Sequence, residues 1–169
     1  VPSVKVPGRD ACPLLHVGRR KPEFSEAVRA TRLRVERAME SGDKKVLLVS
    51  SAIPGEGKTT VSVNLAMSMA RRGKRVLVID CDLRNPSVAK ALRVNTKHSL
   101  VDYLTGKMML RELLCSTEVE NLFIIPGGSG GGTVTDLITR ERGTSMIQAA
   151  RKLFDFVILD TPPCSVLAD

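Results

Sequence analysis

The apolar run Val46-Leu47-Leu48-Val49 passes almost directly into Ala52-Ile53-Pro54-Gly55-Glu56-Gly57-Lys58-Thr59-Thr60. This reads as a strand, a glycine-bearing loop and a helix, in that order. Gly55 and Gly57 let backbone N–H groups turn inward toward an anion without a Cβ clash. Pro54 fixes one φ and stiffens the start of the loop. Lys58 can reach β and γ phosphates, and the Thr59 hydroxyl can meet Mg²⁺. The helix that begins here points its positive end at the same place. Ala52 stands where such loops usually open on glycine. The segment Pro54 to Thr60 therefore reads as a phosphate-binding loop for a nucleoside triphosphate with Mg²⁺, and the fold has to present it at the end of a strand.

The rest of the chain supplies such a fold. A helix is expected from Glu23 to Ser41, with Phe24, Val28, Thr31, Val35 and Met39 as its buried stripe. The first strand is Lys45 to Ser50, and the helix after the loop runs from Thr59 to Arg72. Val76–Ile79, Leu122–Ile125 and Phe156–Leu159 read as three further short apolar strands, as a buried parallel sheet requires. Short helices are expected near Ser87–Arg93, Leu100–Leu104, Met109–Cys115, Val134–Arg140 and Thr144–Leu153. Strands alternating with helices imply an α/β fold, a parallel sheet with helices on both faces and ligands at the carboxyl ends of its strands. Residues 1–22, with four prolines and two glycines, read as an arm or linker, and 23–169 as the P-loop domain. The glycine-rich stretch Gly127–Gly132 reads as a surface connection.

Two carboxylate motifs fall at strand ends. In Asp80-Cys81-Asp82-Leu83-Arg84 an extended backbone puts Asp80 and Asp82 on one side and Cys81 on the other. Asp160 closes the last strand. With Thr59, these acids can place Mg²⁺, which takes one or two carboxylates and keeps several waters. The three acids need not all be direct ligands, which leaves one free for another role, such as orienting an incoming hydroxyl.

Composition narrows the partners. The net charge of +8 fits an acidic membrane face, a nucleic acid or an acidic protein. No basic run is interleaved with aromatics, so nucleic-acid recognition is not expected. Cys12, Cys81, Cys115 and Cys164 are scattered without a CxxC, which argues for a reducing compartment and against zinc. No stretch reaches transmembrane length. The chain opens on Val1, as a piece of a longer protein would.

With these residues in view, the chain resembles the bacterial P-loop tyrosine kinases that couple exopolysaccharide synthesis or export to a cytoplasmic kinase domain. Pro54–Thr60 resembles their Walker A, Val78–Arg84 their second motif, and Ile158-Leu159-Asp160-Thr161-Pro162-Pro163 their Walker B. The resemblance implies an ATP-dependent autokinase with Lys58, Asp80, Asp82 and Asp160 catalytic, in which Thr59, Asp82 and Asp160 are the expected metal contacts and Asp80 orients the acceptor hydroxyl. It also implies a membrane adaptor or fused transmembrane segment, protein tyrosine substrates, and a place at the inner face of the cell membrane. Glu26, Arg29 and Arg32 match the family's oligomerisation motif. Leu33, apolar amid charges on the side of the helix away from the buried stripe, joins them as an expected self-association face. The family continues past Walker B with further strands and a tyrosine-rich tail, so the chain reads as partial. Its single tyrosine is Tyr103. Two alternatives stand beside the kinase: a nucleotide-gated scaffold of a polysaccharide export complex, and a partitioning or division-site ATPase switch. The switch family carries an extra loop lysine at the position of Ile53.

Overall fold

The computed structural model describes residues 22–42, 44–128 and 141–166. The arm expected over 1–21, most of the glycine-rich stretch and the helix expected over Val134–Arg140 lie outside the described residues. Five strands form one sheet: β1 (Val46–Val49), β2 (Val76–Asp80), β3 (Cys115–Ser116), β4 (Leu122–Ile125) and β5 (Phe156–Asp160), in the order β1-β5-β2-β4-β3. β1, β5, β2 and β4 are mutually parallel. The helices are α1 (Pro22–Glu40), α2 (Lys58–Ala70), α3 (Val88–Ala91), α4 (Leu100–Leu104) and α5 (Glu141–Leu153).

Both faces of the sheet are covered. Val76, Val78, Leu122, Ile124 and Ile158 pack beneath α2 and α3, with Met39 of α1 reaching the same cluster. Leu77, Ile79, Val157 and Leu159 pack against Leu100 and Leu104 of α4 and Met146 and Ala150 of α5. Alternate residues of β2, β4 and β5 thus serve opposite cores, which explains their unbroken apolar runs, whereas Leu48 of β1 is exposed. Burying each Val, Leu or Ile contributes roughly 1.5–3 kcal/mol. These two layers, rather than any polar contact, hold the strand ends in place.

Three expectations are corrected. Met109–Cys115 is not a helix: a 3₁₀ turn at Leu110–Glu112 leads into β3, which pairs antiparallel to β4 at the sheet edge. A two-residue strand has no periodicity to read, and Leu113, the fully buried anchor of this segment, follows the turn. Pro22 belongs to α1 rather than to the arm, as a first helical position suits a residue without an N–H. The helix expected from Thr144 also takes in Glu141, Arg142 and Gly143.

Candidate nucleotide and phosphoryl-transfer site

The parallel register aligns Val49 of β1 with Asp160 of β5, and Asp160 with Asp80 of β2. The carboxyl edge therefore presents the loop and both carboxylates in one row. The loop folds as its glycines allow. Gly55 has φ +86 and Gly57 φ +90, and neither faces a crowding atom where a β carbon would stand. Gly57 caps α2, whose first turn contains Lys58, Thr59 and Thr60. Pro54, Gly55 and Glu56 are exposed along the loop. Glu56 turns its carboxylate back on the loop: Oε2 accepts from the N–H of Ala52 at 2.8 Å and of Ile53 at 3.2 Å. Its side chain braces the loop and leaves the backbone to meet an anion. The chain after β5 ties down the same base, with Cys164 N donating to Ser51 O at 2.8 Å.

Thr59 is the junction of the site. Its hydroxyl donates to Asp160 Oδ2 at 2.7 Å and lies 2.9 Å from the Ser87 hydroxyl. Ser62 Oγ donates to the other Asp160 oxygen at 2.9 Å. On β2, Asp80 Oδ2 accepts from the N–H groups of Ser87 and Val88, at 2.8 and 3.0 Å, and Oδ1 from Asp82 N at 3.2 Å. One bonded path thus runs Ser62–Asp160–Thr59–Ser87–Asp80. Ser62 and Ser87 were not singled out in the sequence. Ser62 carried a signal, since it stands three residues from Thr59 on the same helical face.

Asp82 takes a different partner from the other acids. It pairs with Lys58, 3.0 Å away, and accepts from Asn85 N. Cys81 points into the opposite core, as strand alternation requires. Burial drives Asp80 from 3.8 up to about 7, with the charge of Asp160 adding to the rise against the bonds from Val88 and Ser87. Asp160 is also raised, chiefly by burial, against the bonds from Thr59 and Ser62. Burial likewise pushes the Cys81 thiol to about 12, leaving it inert as a nucleophile or ligand.

These residues fit a hard divalent cation. Buried carboxylates and a threonine hydroxyl supply oxygen donors, the donor set that a hard divalent cation takes. Among the described residues no group of three His, Cys, Asp or Glu could enclose a metal alone. Phosphate and water oxygens would complete the shell, as is usual for Mg²⁺.

Residues 44–168 match the protein family described as an AAA domain. The chain belongs to this family. Tyrosine-protein kinase CpsD of Streptococcus pneumoniae serotype 4 is 43% identical over 131 residues, covering 76% of this chain and 58% of that protein. The AAA domain thus spans under three fifths of the length of this curated relative. The kinase domain of Escherichia coli tyrosine kinase ETK superposes with a TM-score of 0.83 at 31% identity, over 96% of this chain and 64% of that one. The septum site-determining protein MinD from Pyrococcus horikoshii, solved with Mg-ADP, gives a TM-score of 0.62 at 28% identity, over 70% of this chain and 49% of that one. The parallel sheet and its loop are the P-loop fold that the ETK kinase domain and MinD share.

The expected self-association residues, on α1 ahead of the matched domain, divide. Glu26, Arg29 and Leu33 are exposed, and Arg29 meets Glu26 at 3.7 Å. Arg32 is only 11% exposed and pairs with Glu36 at 2.6 Å. With Ser68 of α2 and Arg72 in the turn beyond it, it lines a groove of about 600 Å³ beside the two helices. The tyrosine also finds a structural role. Tyr103 is buried, donates to Arg142 O at 3.1 Å, and lies under the Arg142 guanidinium.

Proposed function

We propose that the chain is the ATP- and Mg²⁺-dependent kinase domain of a protein-tyrosine autokinase that regulates exopolysaccharide synthesis or export. The observation that carries this reading is the bonded path from Thr59 through Ser87 to Asp80. It couples the metal-type hydroxyl of the loop to a second carboxylate two strands away, on the side where an acceptor can approach. A switch or a scaffold needs only the nucleotide half of that path.

The roles follow from position. The loop amides from Gly55 to Thr60 and the Lys58 ammonium bind the β and γ phosphates. Thr59, Asp160 and Asp82 would hold Mg²⁺, which would supply charge neutralisation across the transferred group. Asp80 accepts the hydrogen bond of the incoming phenol. The γ-phosphoryl passes to the tyrosine oxygen, ADP leaves, and the phenolic proton moves late to Asp80. Against a reference carboxylate that proton transfer would cost ~8 kcal/mol, since reference values near 10 and 3.9 differ by ~6 units. Raised to about 7 by its burial, Asp80 roughly halves that cost. Tyr103 is the single tyrosine of the sequence and is buried, so the acceptor comes from another segment or another molecule.

The same reading gives α1 a face for a second copy, built on Glu26, Arg29 and Leu33 with Arg32 behind them. It also implies a membrane-linked adaptor and a cytoplasmic position beside it. Among the described residues no helix is long and apolar enough to cross a membrane. The test is incubation of the full-length chain and its adaptor with γ-labelled ATP, followed by phosphoamino-acid analysis. Phosphotyrosine is the expected product. Free phosphate alone would replace the kinase with a switch or scaffold.

A further inference from the structure

The carboxyl edge of the sheet continues past Asp80. A cleft of about 390 Å³ opens there between α3, the 94–99 segment and the end of β4, and Asp80 forms part of its wall. That size lies in the usual range of ligand pockets, roughly 300–1,000 Å³. The strand order sets the sequence of parts along this edge: loop, Asp160, Asp80, cleft. Asp80 therefore stands between the triphosphate side and the cleft.

The backbone is shaped for that closeness. A β carbon on Gly127 would lie 3.0 Å from Asp80 O, 3.1 Å from Pro86 Cβ and 3.3 Å from Asp80 Cγ. One on Gly128, whose φ is +79, would lie 2.3 Å from the Ser99 side chain. Only glycines make a wall this thin. Leu100 N to Pro126 O at 2.7 Å and Val101 N to Gly127 O at 3.2 Å fix the wall to the start of α4. The first two residues of the glycine-rich stretch thus have a structural reason that the sequence does not reveal.

The lining is basic. Lys90 and Lys97 both border the cleft, and Asp80 is its single carboxylate among the described residues. No carboxylate of the described residues comes within ion-pair distance of Lys97. We propose that this cleft receives the acceptor segment, and that Lys90 and Lys97 select a tyrosine flanked by acidic residues. The proposal rests on the kinase reading, whose reacting hydroxyl would enter beside Asp80 while the flanking carboxylates meet the two lysines.

The test uses the full-length chain with ADP and Mg²⁺ and three labelled pentapeptides: tyrosine flanked on both sides by two glutamates, two glutamines or two lysines. Fluorescence anisotropy should show the glutamate peptide binding about fivefold tighter than the glutamine one, from two exposed charge pairs. The gap should close in high salt. Lys90→Glu/Lys97→Glu should reverse the order in favour of the lysine peptide, and Lys97→Gln alone should narrow it if the double variant does not fold. Equal binding of all three peptides, or a preference that survives the charge reversal, overturns the proposal. Transfer from labelled ATP is read in parallel. Charge-dependent binding without transfer upholds the cleft and rejects the kinase. Transfer at equal kcat/KM to all three peptides rejects the cleft and upholds the kinase.

Discussion

Lys58 Nζ stands 3.0 Å from Asp82 Oδ2, with 13% and 4% of the two side chains exposed. The lysine that the loop offers to phosphate is already held by a carboxylate. On the proposed reading a nucleotide has to take it away, and two anions compete for one ammonium.

Asp82→Asn should therefore tighten binding of Mg²⁺-free ADP by about fivefold, the worth of one charged hydrogen bond partly regained. Lys58→Met should abolish nucleotide binding and transfer. It should also cost the fold about 3 kcal/mol, because Asp82 is left buried without its partner. Calorimetric titration and thermal melting measure both. Weaker ADP binding by Asp82→Asn would contradict the competition.

Stability should depend on pH with a definite sign. The unfolded chain ionises Asp80 near 3.8 and the folded chain near 7, so between these values the folded state binds more protons. Stability is then fully present below about pH 4, falls as pH rises toward 7, and levels off above. The three-unit gap corresponds to about 4 kcal/mol. Asp160, raised in the same direction, steepens the fall. Asp80→Asn should flatten the profile and melt higher than the parent at pH 8. Because Mg²⁺ binds the ionised acids, its stabilising effect should be larger at pH 8 than at pH 6. A profile rising from pH 4 to 7 would be the contrary result.

Ser62→Ala removes one of the two hydroxyls that hold Asp160. It should cost about 1–2 kcal/mol in denaturant unfolding. Losing a bond that favours the carboxylate should also raise the pKa of Asp160 further and weaken Mg²⁺-dependent nucleotide binding more than Mg²⁺-free binding. Equal losses in both would assign Ser62 to packing alone.

On α1, Arg29→Ala should leave stability within about 0.5 kcal/mol, since its pair with Glu26 is exposed. Arg32→Ala should cost more, because Glu36 is then left nearly buried and alone. Arg29→Glu/Leu33→Glu is thus the cleaner probe of self-association. Sizing should show a smaller particle for the full-length chain at an unchanged melting temperature, and an unchanged particle mass would remove this face from the assembly.

The sequence exposed what depends on local order. The loop, the apolar strands and the acids at their ends are contiguous signals, and each falls where the structure puts it. What depends on long-range pairing was hidden. Nothing near Ser62 or Ser87 announces Asp160 and Asp80 as partners, because those contacts span the sheet. The pairing of Asp82 with Lys58 was equally invisible: spacing puts an acid at the metal, and only the folded geometry shows which cation reaches it first. β3 was missed because two residues at an edge are held by their neighbour rather than by their own pattern.

Strand order also governs when the site can come into being. β5, last of the five in sequence, is inserted between β1 and β2, the first two. Until residue 160 has left the ribosome, those strands have no shared neighbour, and the row of Val49, Asp160 and Asp80 does not exist. On the proposed reading, a nascent chain that carries the whole loop lacks the row of acids beside it until β5 has paired with both neighbours.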